Sequence, residues 1–327
     1  MATVCAILLT QGGHEVTIWG AFEQSIERLQ QDREQRRLLP GAKVPPNVRL
    51  TANDADAFTG ATLILSAVPT QYMRSVWKRL LPYVPAGVPI ISVAKGIENE
   101  TLLRPTQIIA DLLGHPVGRK QNELVVLSGP NIAAEIAKYL PATAVAASDD
   151  ESLAKRVQAA MSTQWFRVYT NTDVLGVELA GATKNIIAIA AGMLDGLAAG
   201  NNAKAALVTR GLVEITRLAV AMGAQASTFG GLAGLGDLIT TCVSPEGRNR
   251  TVGERIGKGE TLKQVIDSMD SVAEGVPTTR SVHALAQRYK VQMPITEEVY
   301  AVLFENKDVI SALTDLMTRD PKPETPH

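Results

Sequence analysis

The first half of the chain alternates between short apolar runs rich in β-branched residues and longer stretches with helical spacing. The apolar runs are residues 15–19, 62–66, 88–93, 124–127, 143–146 and 166–169. A strand that is covered on both faces reads as a nearly continuous apolar run, and helices between such strands form crossovers. The pattern therefore predicts a parallel sheet with helices packed on both faces.

The second half of the chain has a different pattern. After Asp173 the β-branched runs stop, and Ala, Leu, Gly and Met recur at helical spacing almost to the end. We therefore predict an α/β domain over residues 1–172 and an all-α domain over residues 173–319. Residues 320–327 contain three prolines and are predicted to form a frayed tail.

The start of the chain departs from the usual order of a dinucleotide-binding sheet. Such a domain opens with a strand and a glycine turn, and a helix then follows. Residues 1–11 read as that helix, which leads through Gly12 and Gly13 into the next strand. We expect a Rossmann-like sheet without its first strand. Each unpaired buried backbone group would cost roughly 1–3 kcal/mol, so we expect poor folding or weak dinucleotide binding.

Composition and charge exclude several classes of partner. The chain of 327 residues is 46% hydrophobic, and its 32 Lys and Arg residues balance 33 Asp and Glu residues, which offers no attraction for nucleic acid or anionic lipid. Two cysteines, Cys5 and Cys242, indicate a reducing compartment. The apolar run 2–9 lacks a basic leader and a cleavage site, and the run 185–194 is too short to span a bilayer. We expect a cytoplasmic protein without membrane insertion.

Two lysines lie at positions that suggest a functional role. Lys184 lies among small and apolar residues of a predicted helix, where burial would lower the pKa of its ammonium and make it a usable proton donor. Lys95 directly follows the strand 88–93, at the carboxyl end of the sheet where α/β proteins place ligands. The alternatives are a lysine that extends out of a buried helix and a surface lysine in a loop.

Two further groups suit the chemistry of a phosphorylated substrate. Asp237 follows a glycine-rich stretch and can pair with a lysine, although it can equally cap a helix that begins at Leu238. Arg248 and Asn249 offer a guanidinium and an amide near a predicted helix start, which suits a phosphate dianion. The alternative for Arg248 is a basic surface cluster with Arg250 and Arg255.

Three other features of the sequence give no support for a further site. The four histidines show no metal-ligand spacing, so we expect no metal. The glycines of residues 229–236 lie inside the helical half with no preceding strand, which argues against a phosphate loop. Lys204 is expected to support packing rather than to transfer a proton.

Seven ordered segments resemble NAD(P)-dependent sn-glycerol-3-phosphate dehydrogenases of the bacterial type. They are Gly-His-Glu-Val-Thr-Ile-Trp at 13–19, Val-Ala-Lys-Gly-Ile-Glu at 93–98, Leu-Ser-Gly-Pro-Asn-Ile-Ala at 127–133, Gly-Ala-Thr-Lys-Asn at 181–185, Gly-Asn-Asn-Ala-Lys-Ala-Ala at 200–206, Gly-Leu-Gly-Asp-Leu at 234–238 and Gly-Arg-Asn at 247–249. The resemblance covers the chain from its start to about residue 305. It implies hydride transfer between NAD or NADP and dihydroxyacetone phosphate, which gives sn-glycerol 3-phosphate for phospholipid synthesis.

The resemblance also implies roles for particular residues. Lys184 would be the catalytic lysine, and Asp237 would orient it and the substrate hydroxyl. The implied substrate contacts are Lys95, Gly129, Asn131, Lys184, Asp237, Gly247, Arg248 and Asn249. The implied cofactor contacts are Lys95, Ala133, Arg248, Val272 and Glu274, although Glu274 alone reads as a solvated carboxylate. The family commonly has Ser at the position of Gly247 and Ser or Thr at that of Asn131, which weakens those two contacts.

Two questions stay open at this level. The positions that follow the second strand, Gly20 and Ala21, carry neither the acidic residue that favours NAD nor an arginine that favours NADP. Two alternative functions also remain: a related dehydrogenase that acts on a hydroxy acid such as 6-phosphogluconate, and a catalytically silent binding protein. A homodimer is expected from the resemblance.

Overall fold

The fold is described from a computed structural model of the chain, which describes residues 1–114, 124–321, 323 and 324. The strands are β1 (Thr17–Trp19), β2 (Arg49–Thr51), β3 (Ile64–Ser66), β4 (Ile90–Ser92), β5 (Leu124–Ser128), β6 (Ala142–Ala147) and β7 (Phe166–Asn171). The helices among them are α1 (Ala2–Gln11), α2 (Glu23–Asp32), α3 (Thr70–Leu80), α4 (Pro105–Leu113), α5 (Ala133–Ala137) and α6 (Glu151–Met161).

The rest of the described chain is helical. Its helices are α7 (Val174–Gly196), α8 (Gly200–Ala221), α9 (Ala226–Phe229), α10 (Asp237–Val243), α11 (Arg248–Gly257), α12 (Leu262–Asp267), α13 (Gly275–Tyr289), α14 (Pro294–Phe304) and α15 (Val309–Met317). The fold class predicted from the sequence, a Rossmann-like sheet domain followed by a helical domain, is confirmed. Of the predicted tail, residues 322 and 325–327 lie outside the described residues.

The strands form two sheets. Strands β3, β4, β5, β6 and β7 lie side by side in that order, and β1 pairs in parallel with β2 in a separate two-stranded sheet. No ladder joins β1 to β3 within the part of the chain described here. The larger sheet is parallel except for the antiparallel pair β5 and β6. The predicted parallel arrangement is therefore confirmed for the pairs β3–β4, β4–β5 and β6–β7 and is wrong for β5 and β6.

Every strand predicted from the sequence is present, with shifts of up to two residues at its ends, but β2 was missed. Its three residues Arg49, Leu50 and Thr51 include one apolar side chain, and none of them is fully buried. A strand this short and this exposed leaves no apolar run to detect. It forms because β1 offers a free edge with which it pairs.

Helix α7 is the central element of the helical half. Its small and apolar residues are buried on nearly all sides, from Gly176 to Leu194. Among the residues that the structure describes, α7 is the one helix long and apolar enough to cross a bilayer, and 89% of its most apolar window is buried inside the protein. Its apolar character is therefore that of a core helix.

Helix α11 crosses α7 at very short range because glycines face each other at the crossing. A Cβ atom at Gly192 of α7 would overlap the Arg250 carbonyl oxygen of α11, and one at Gly253 would overlap the Ile189 carbonyl oxygen of α7. This close approach fixes the start of α11, which carries Arg248 and Asn249, beside α7.

The junction between sheet and helices is anchored by one buried carboxylate. Strand β7 ends at Asn171, and Asp173 then caps α7 by accepting a hydrogen bond from the amide of Gly176 at 2.8 Å. Its other oxygen accepts from the Thr228 hydroxyl at 2.7 Å and from the Gln225 amide at 2.9 Å. The first turn of α7 is thereby held against α9.

Candidate active site

Lys184 and Asp237 form a buried ion pair inside the helical half. Lys184 projects from α7, is 5% exposed, and donates a hydrogen bond to Asp237 Oδ1 at 2.5 Å. Asp237 opens α10 and is 2% exposed. The alternative in which Lys184 extends to solvent is therefore wrong. Asp237 is also no N-cap of a helix from Leu238, because α10 begins at Asp237 itself and its carboxylate faces lysines.

Lys95 reaches the same carboxylate from the sheet. It follows β4 at the carboxyl end of the strand, and its Nζ donates to Asp237 Oδ2 at 2.7 Å and to the Gly129 carbonyl at 2.9 Å. A Cβ at Gly181 of α7 would lie 3.5 Å from Lys95 Cγ, so the glycine lets the helix approach this lysine closely. Two lysines that are 89 positions apart thus share one aspartate where the sheet and the helices meet.

The site changes the proton affinity of Lys184. Burial lowers the pKa of its ammonium from 10.5 to about 8, and the positive charge of Lys95 acts in the same direction. The negative charge of Asp237 opposes this and keeps the pKa from falling further. A lysine with a pKa near 8 can both give and take a proton at physiological pH.

Thr241 joins this cluster and was missed by the sequence analysis. It lies one turn after Asp237 on α10, and its Oγ1 accepts a hydrogen bond from Lys184 Nζ at 2.5 Å while donating to the Asp237 carbonyl at 2.7 Å. The helical spacing from Asp237 was the available signal. This spacing could not be interpreted until the start of α10 was known.

The turn after β5 borders the cleft, which is the junction of the sheet with α7, α10 and α11 beside Lys95. Gly129 has φ of +140°, and a Cβ there would lie 3.0 Å from the backbone of Thr143 and Ala144, so the turn requires glycine. Asn131 donates from Nδ2 to the Thr143 carbonyl at 2.8 Å, which fixes the turn. The Ser128 hydroxyl is buried and meets no hydrogen-bond partner among the described residues.

The residues expected to hold a phosphate lie at the start of α11. Arg248 is the first residue of α11 and is exposed, and its Nη1 donates to the Val272 carbonyl at 2.9 Å. Asn249 is buried and accepts from the Gly275 amide at 2.9 Å. Gly247, the N-cap of α11, has carbonyl oxygens near it that a Cβ would meet at 3.0–3.1 Å.

A chain of contacts links this helix start to the two lysines. A Cβ at Gly275 would meet both the Asn249 side chain and the Asn185 carbonyl at 2.8 Å. Asn185 in turn donates from Nδ2 to the Lys95 carbonyl at 3.1 Å. Lys95, Asn185 and Asn249 therefore follow one another along the same cleft.

The segment before α13 closes on the sheet side of the cleft. Glu274 Oε1 accepts from the Thr70 amide at the start of α3, at 2.9 Å. Burial raises the pKa of the Glu274 carboxyl above its usual value. Glu274 is therefore no solvated surface carboxylate. Val272 lies beside Arg248, and Ala133 is the first residue of α5, partly buried against the sheet core.

The other basic residues singled out from the sequence, Arg250, Lys204 and Arg255, are engaged in ion pairs with carboxylates other than Asp237. Arg250 donates to Asp195 at 2.7 Å, Lys204 pairs with the same Asp195, and Arg255 pairs with Glu260. A shared basic surface cluster with Arg248 is therefore absent from the described residues. Lys204 ties α8 to α7 through Asp195.

A nicotinamide coenzyme fits the residues that are present. The cleft lies at the carboxyl end of the sheet, where open α/β folds bind ligands. The buried Ser128 hydroxyl meets no partner in the described part of the chain, and the carboxamide of a nicotinamide both donates and accepts hydrogen bonds. Lysines and an arginine supply positive charge along the same cleft.

The fold and the site define an NAD(P)-dependent oxidoreductase with a dinucleotide-binding sheet and a helical catalytic half. Residues 2–154 match the family model described as NAD-dependent glycerol-3-phosphate dehydrogenase N-terminus, and residues 173–314 match the one described as its C-terminus. The chain belongs to the NAD-dependent glycerol-3-phosphate dehydrogenase family.

Individual relatives agree with this assignment. The chain is 48% identical to glycerol-3-phosphate dehydrogenase [NAD(P)+] 2 of Salinibacter ruber, over 98% of this chain and 93% of that protein. It is 47% identical to glycerol-3-phosphate dehydrogenase [NAD(P)+] of Citrifermentans bemidjiense, over 98% and 95%. A crystal structure of glycerol-3-phosphate dehydrogenase from Coxiella burnetii superimposes with a TM-score of 0.91 at 36% identity, covering 97% of this chain and 95% of that one.

Proposed function

We propose that the chain catalyses reversible hydride transfer between NAD(P)H and C2 of dihydroxyacetone phosphate, which gives sn-glycerol 3-phosphate for glycerophospholipid synthesis. The observation that carries the proposal is the meeting of Lys95 and Lys184 on the two oxygens of Asp237. The activity named for the relatives requires a proton donor at a ketone oxygen, and this cluster supplies one.

Lys184 is the catalytic acid of this proposal. When bound, the coenzyme supplies the hydride that reaches C2. The Lys184 ammonium gives its proton to the ketone oxygen, so that a neutral amine remains and the alcohol is formed. In the reverse direction the amine takes the hydroxyl proton. Asp237 holds the ammonium in place, and Lys95 brings a second positive charge to the developing alkoxide.

Arg248, Asn249 and the start of α11 hold the substrate phosphate. Arg248 is exposed, and a helix N-terminus stabilises an anion. Gly247, whose amide donates to the Ser244 carbonyl at 3.2 Å, precedes Arg248 as the N-cap of α11 and lies beside the bound phosphate. Gly129 and Asn131 shape the turn beside Lys95 and contact the substrate. The coenzyme contacts are Lys95, Ala133, Arg248, Val272 and Glu274.

The remaining assignments follow from the same reading. Residues 1–172 form the sheet domain and residues 173–319 the helical domain of this proposal, and the change from β7 to α7 supports that boundary. The enzyme acts in the cytoplasm. This agrees with its two cysteines, Cys5 and Cys242, which are free thiols buried inside the protein. It works as a homodimer.

The decisive experiment is NADH oxidation with dihydroxyacetone phosphate by the native chain and by Lys184→Met. We expect the substitution to lower kcat by about 10²- to 10⁴-fold, because the proton donor is lost. Lys263→Met is the matched control: its side chain is 84% exposed and far along the chain in α12, and its kcat should equal that of the native protein. Equal loss in both variants would contradict the role of Lys184.

The alternative functions give different outcomes in the same assay. A dehydrogenase for hydroxy acids would turn over 6-phosphogluconate faster than sn-glycerol 3-phosphate. A silent binding protein would bind dihydroxyacetone phosphate in calorimetry and oxidise no NADH. Either result would replace the proposed function.

A further inference from the structure

An ion pair stands at the carboxyl end of β1. Trp19 ends β1, and its indole Nε1 donates to Asp54 Oδ1 at 3.0 Å. Arg79, near the end of α3, donates from Nε to Asp54 Oδ2 and from Nη2 to Asp54 Oδ1, both at 2.7 Å. The guanidinium also lies over the Trp19 ring, 5.4 Å from its centre.

The pair engages the Arg79 guanidinium through two of its nitrogens. The carboxylate binds the guanidinium with both oxygens, which is the strongest geometry for such a pair. A third bond, from Nη1 to the Ala21 carbonyl at 3.2 Å, turns the guanidinium toward the backbone that follows β1. The Arg79 guanidinium holds the pKa of Asp54 below its usual value, so the carboxylate stays charged at neutral pH.

A groove of about 580 Å³ opens beside this pair. Its wall includes Ala21, Thr51, Asn53, Arg79 and two carboxylates one helical turn apart on α2, Glu23 and Glu27. The four charged groups Glu23, Glu27, Asp54 and Arg79 carry three negative charges and one positive charge. The groove edge is therefore an anionic surface rather than a phosphate site.

The position matters because nucleotide-binding sheets read the adenosine ribose at this strand end. An acidic residue there accepts from the 2′-hydroxyl of NAD, whereas a free arginine binds the 2′-phosphate of NADP. Gly20 and Ala21 carry neither group. The structure brings both groups from elsewhere, Asp54 from the loop after β2 and Arg79 from α3, and joins them to each other.

We propose that the Asp54–Arg79 pair makes this enzyme select NAD(H) over NADP(H). The inference rests on the proposed function for the presence of a dinucleotide. Asp54 occupies the bidentate face of the guanidinium that a 2′-phosphate would need. Glu23 and Glu27 add repulsion toward a dianion, whereas the neutral 2′-hydroxyl of NAD meets no such penalty.

The test compares the dissociation constants of NADH and NADPH, measured by ligand-observed NMR or calorimetry. The quantity compared is the ratio of the dissociation constant of NADPH to that of NADH. Because the two coenzymes differ only by the 2′-phosphate, contacts that both make cancel in this ratio. We expect the native chain to bind NADPH at least about tenfold more weakly than NADH. In Asp54→Asn the amide oxygen still accepts from Trp19 but the charge is gone, so the ratio should fall about tenfold or more.

Three further variants make the result specific. Arg79→Gln should raise the ratio, and Asp54→Asn combined with Arg79→Gln should lose the gain of the single Asp54 variant, because the freed guanidinium is what binds the phosphate. Asp56→Asn, which removes an exposed carboxylate two positions away, should leave the ratio at its native value.

Two outcomes would overturn the inference: native binding that favours NADPH, or an Asp54→Asn ratio within twofold of the native ratio. Turnover of dihydroxyacetone phosphate with either coenzyme supports the proposed function whichever way the ratio falls. Absence of turnover with both coenzymes would count against that function and leave the ratio to be judged from binding.

Discussion

At the scale of single residues, the unusual feature is one carboxylate that holds two ammonium groups. Asp237 gives one oxygen to Lys95 and the other to Lys184, at 2.7 and 2.5 Å. Two positive charges near one negative charge leave a net positive charge. This lowers the pKa most at Lys184, the more deeply buried of the two lysines. This is why Lys184 combines a fixed position with a readily transferred proton.

The pH dependence of the two reaction directions should differ in sign. Reduction needs protonated Lys184, so its kcat should fall as pH rises through about 8. Oxidation needs the neutral amine, so its kcat should rise through about 8. Steady-state rates in both directions between pH 6.5 and 9.5 measure this. Profiles that bend in the same direction, or a midpoint near the ordinary value of 10.5, would contradict the assignment.

Removing the charge of Asp237 should lower the pKa of Lys184 further. In Asp237→Asn the attraction that raises this pKa is lost, while burial and the charge of Lys95 remain. The midpoint for reduction should move down by about 1–3 pH units. Asp267→Asn, an exposed carboxylate on α12, should leave the midpoint unchanged. A purely structural role for Asp237 would lower the melting temperature without moving the midpoint.

The residues of this site differ in how far the sequence could reveal them. Lys95 was predictable because a lysine just after a buried parallel strand lies at the ligand-binding edge of the sheet. Lys184 and Asp237 were predictable as candidates through the family resemblance. Their pairing was likewise expected only through the resemblance, since 53 positions separate them and no local pattern encodes the contact. Thr241 was hidden because its role depends on the first turn of α10.

At the scale of elements, the glycines between α7 and α11 decide how the helical half packs. They let the two backbones approach closely, and the start of α11, which carries Arg248 and Asn249, is placed by that approach. The helices themselves could be predicted from their spacing. Their crossing could not be predicted, because a glycine inside a helix indicates only low helix propensity until the helix that packs against it is known.

Filling the helix crossing should destabilise the protein. In Gly192→Ala the new methyl group would overlap the Arg250 carbonyl, so α7 and α11 must move apart. We expect a loss of at least about 2 kcal/mol in the free energy of unfolding, visible as a melting temperature lower by roughly 4 °C or more. Differential scanning calorimetry measures this.

A glycine in a similar backbone conformation provides the control. Gly230 has φ of −76°, and a Cβ there would lie 3.7 Å from the Ser227 carbonyl, an ordinary contact. Gly230→Ala should therefore change the melting temperature little. Equal effects at positions 192 and 230 would show that the close crossing contributes nothing special.

At the scale of the whole molecule, most of the architecture was open to prediction. The change from β-branched runs to helical spacing near residue 173 reflects a real change from sheet to helices. The antiparallel pair β5 and β6 and the short strand β2 were not predictable, because strand direction and edge pairing depend on neighbours distant in sequence. The division into two sheets is likewise a property of pairing.

The small sheet of β1 and β2 should be the first part of the protein to open. It packs on a small core of its own, formed by Ala6, Leu29, Val44 and Val48. Amide hydrogens of Thr17–Trp19 and Arg49–Thr51 should exchange with deuterium at least about tenfold faster than those of Ile90–Ser92, which mass spectrometry can resolve. Equal exchange across both sheets would show that they open as one unit.

That ordering has a consequence for ligand recognition. The surface that we propose distinguishes the two coenzymes is built on the small sheet, which is expected to exchange fastest, whereas Lys95 follows β4 of the sheet that is expected to exchange more slowly. Adding NADH should therefore slow deuterium uptake in β1 and β2 far more than around Lys184, because the bound coenzyme stabilises the closed form of the small sheet.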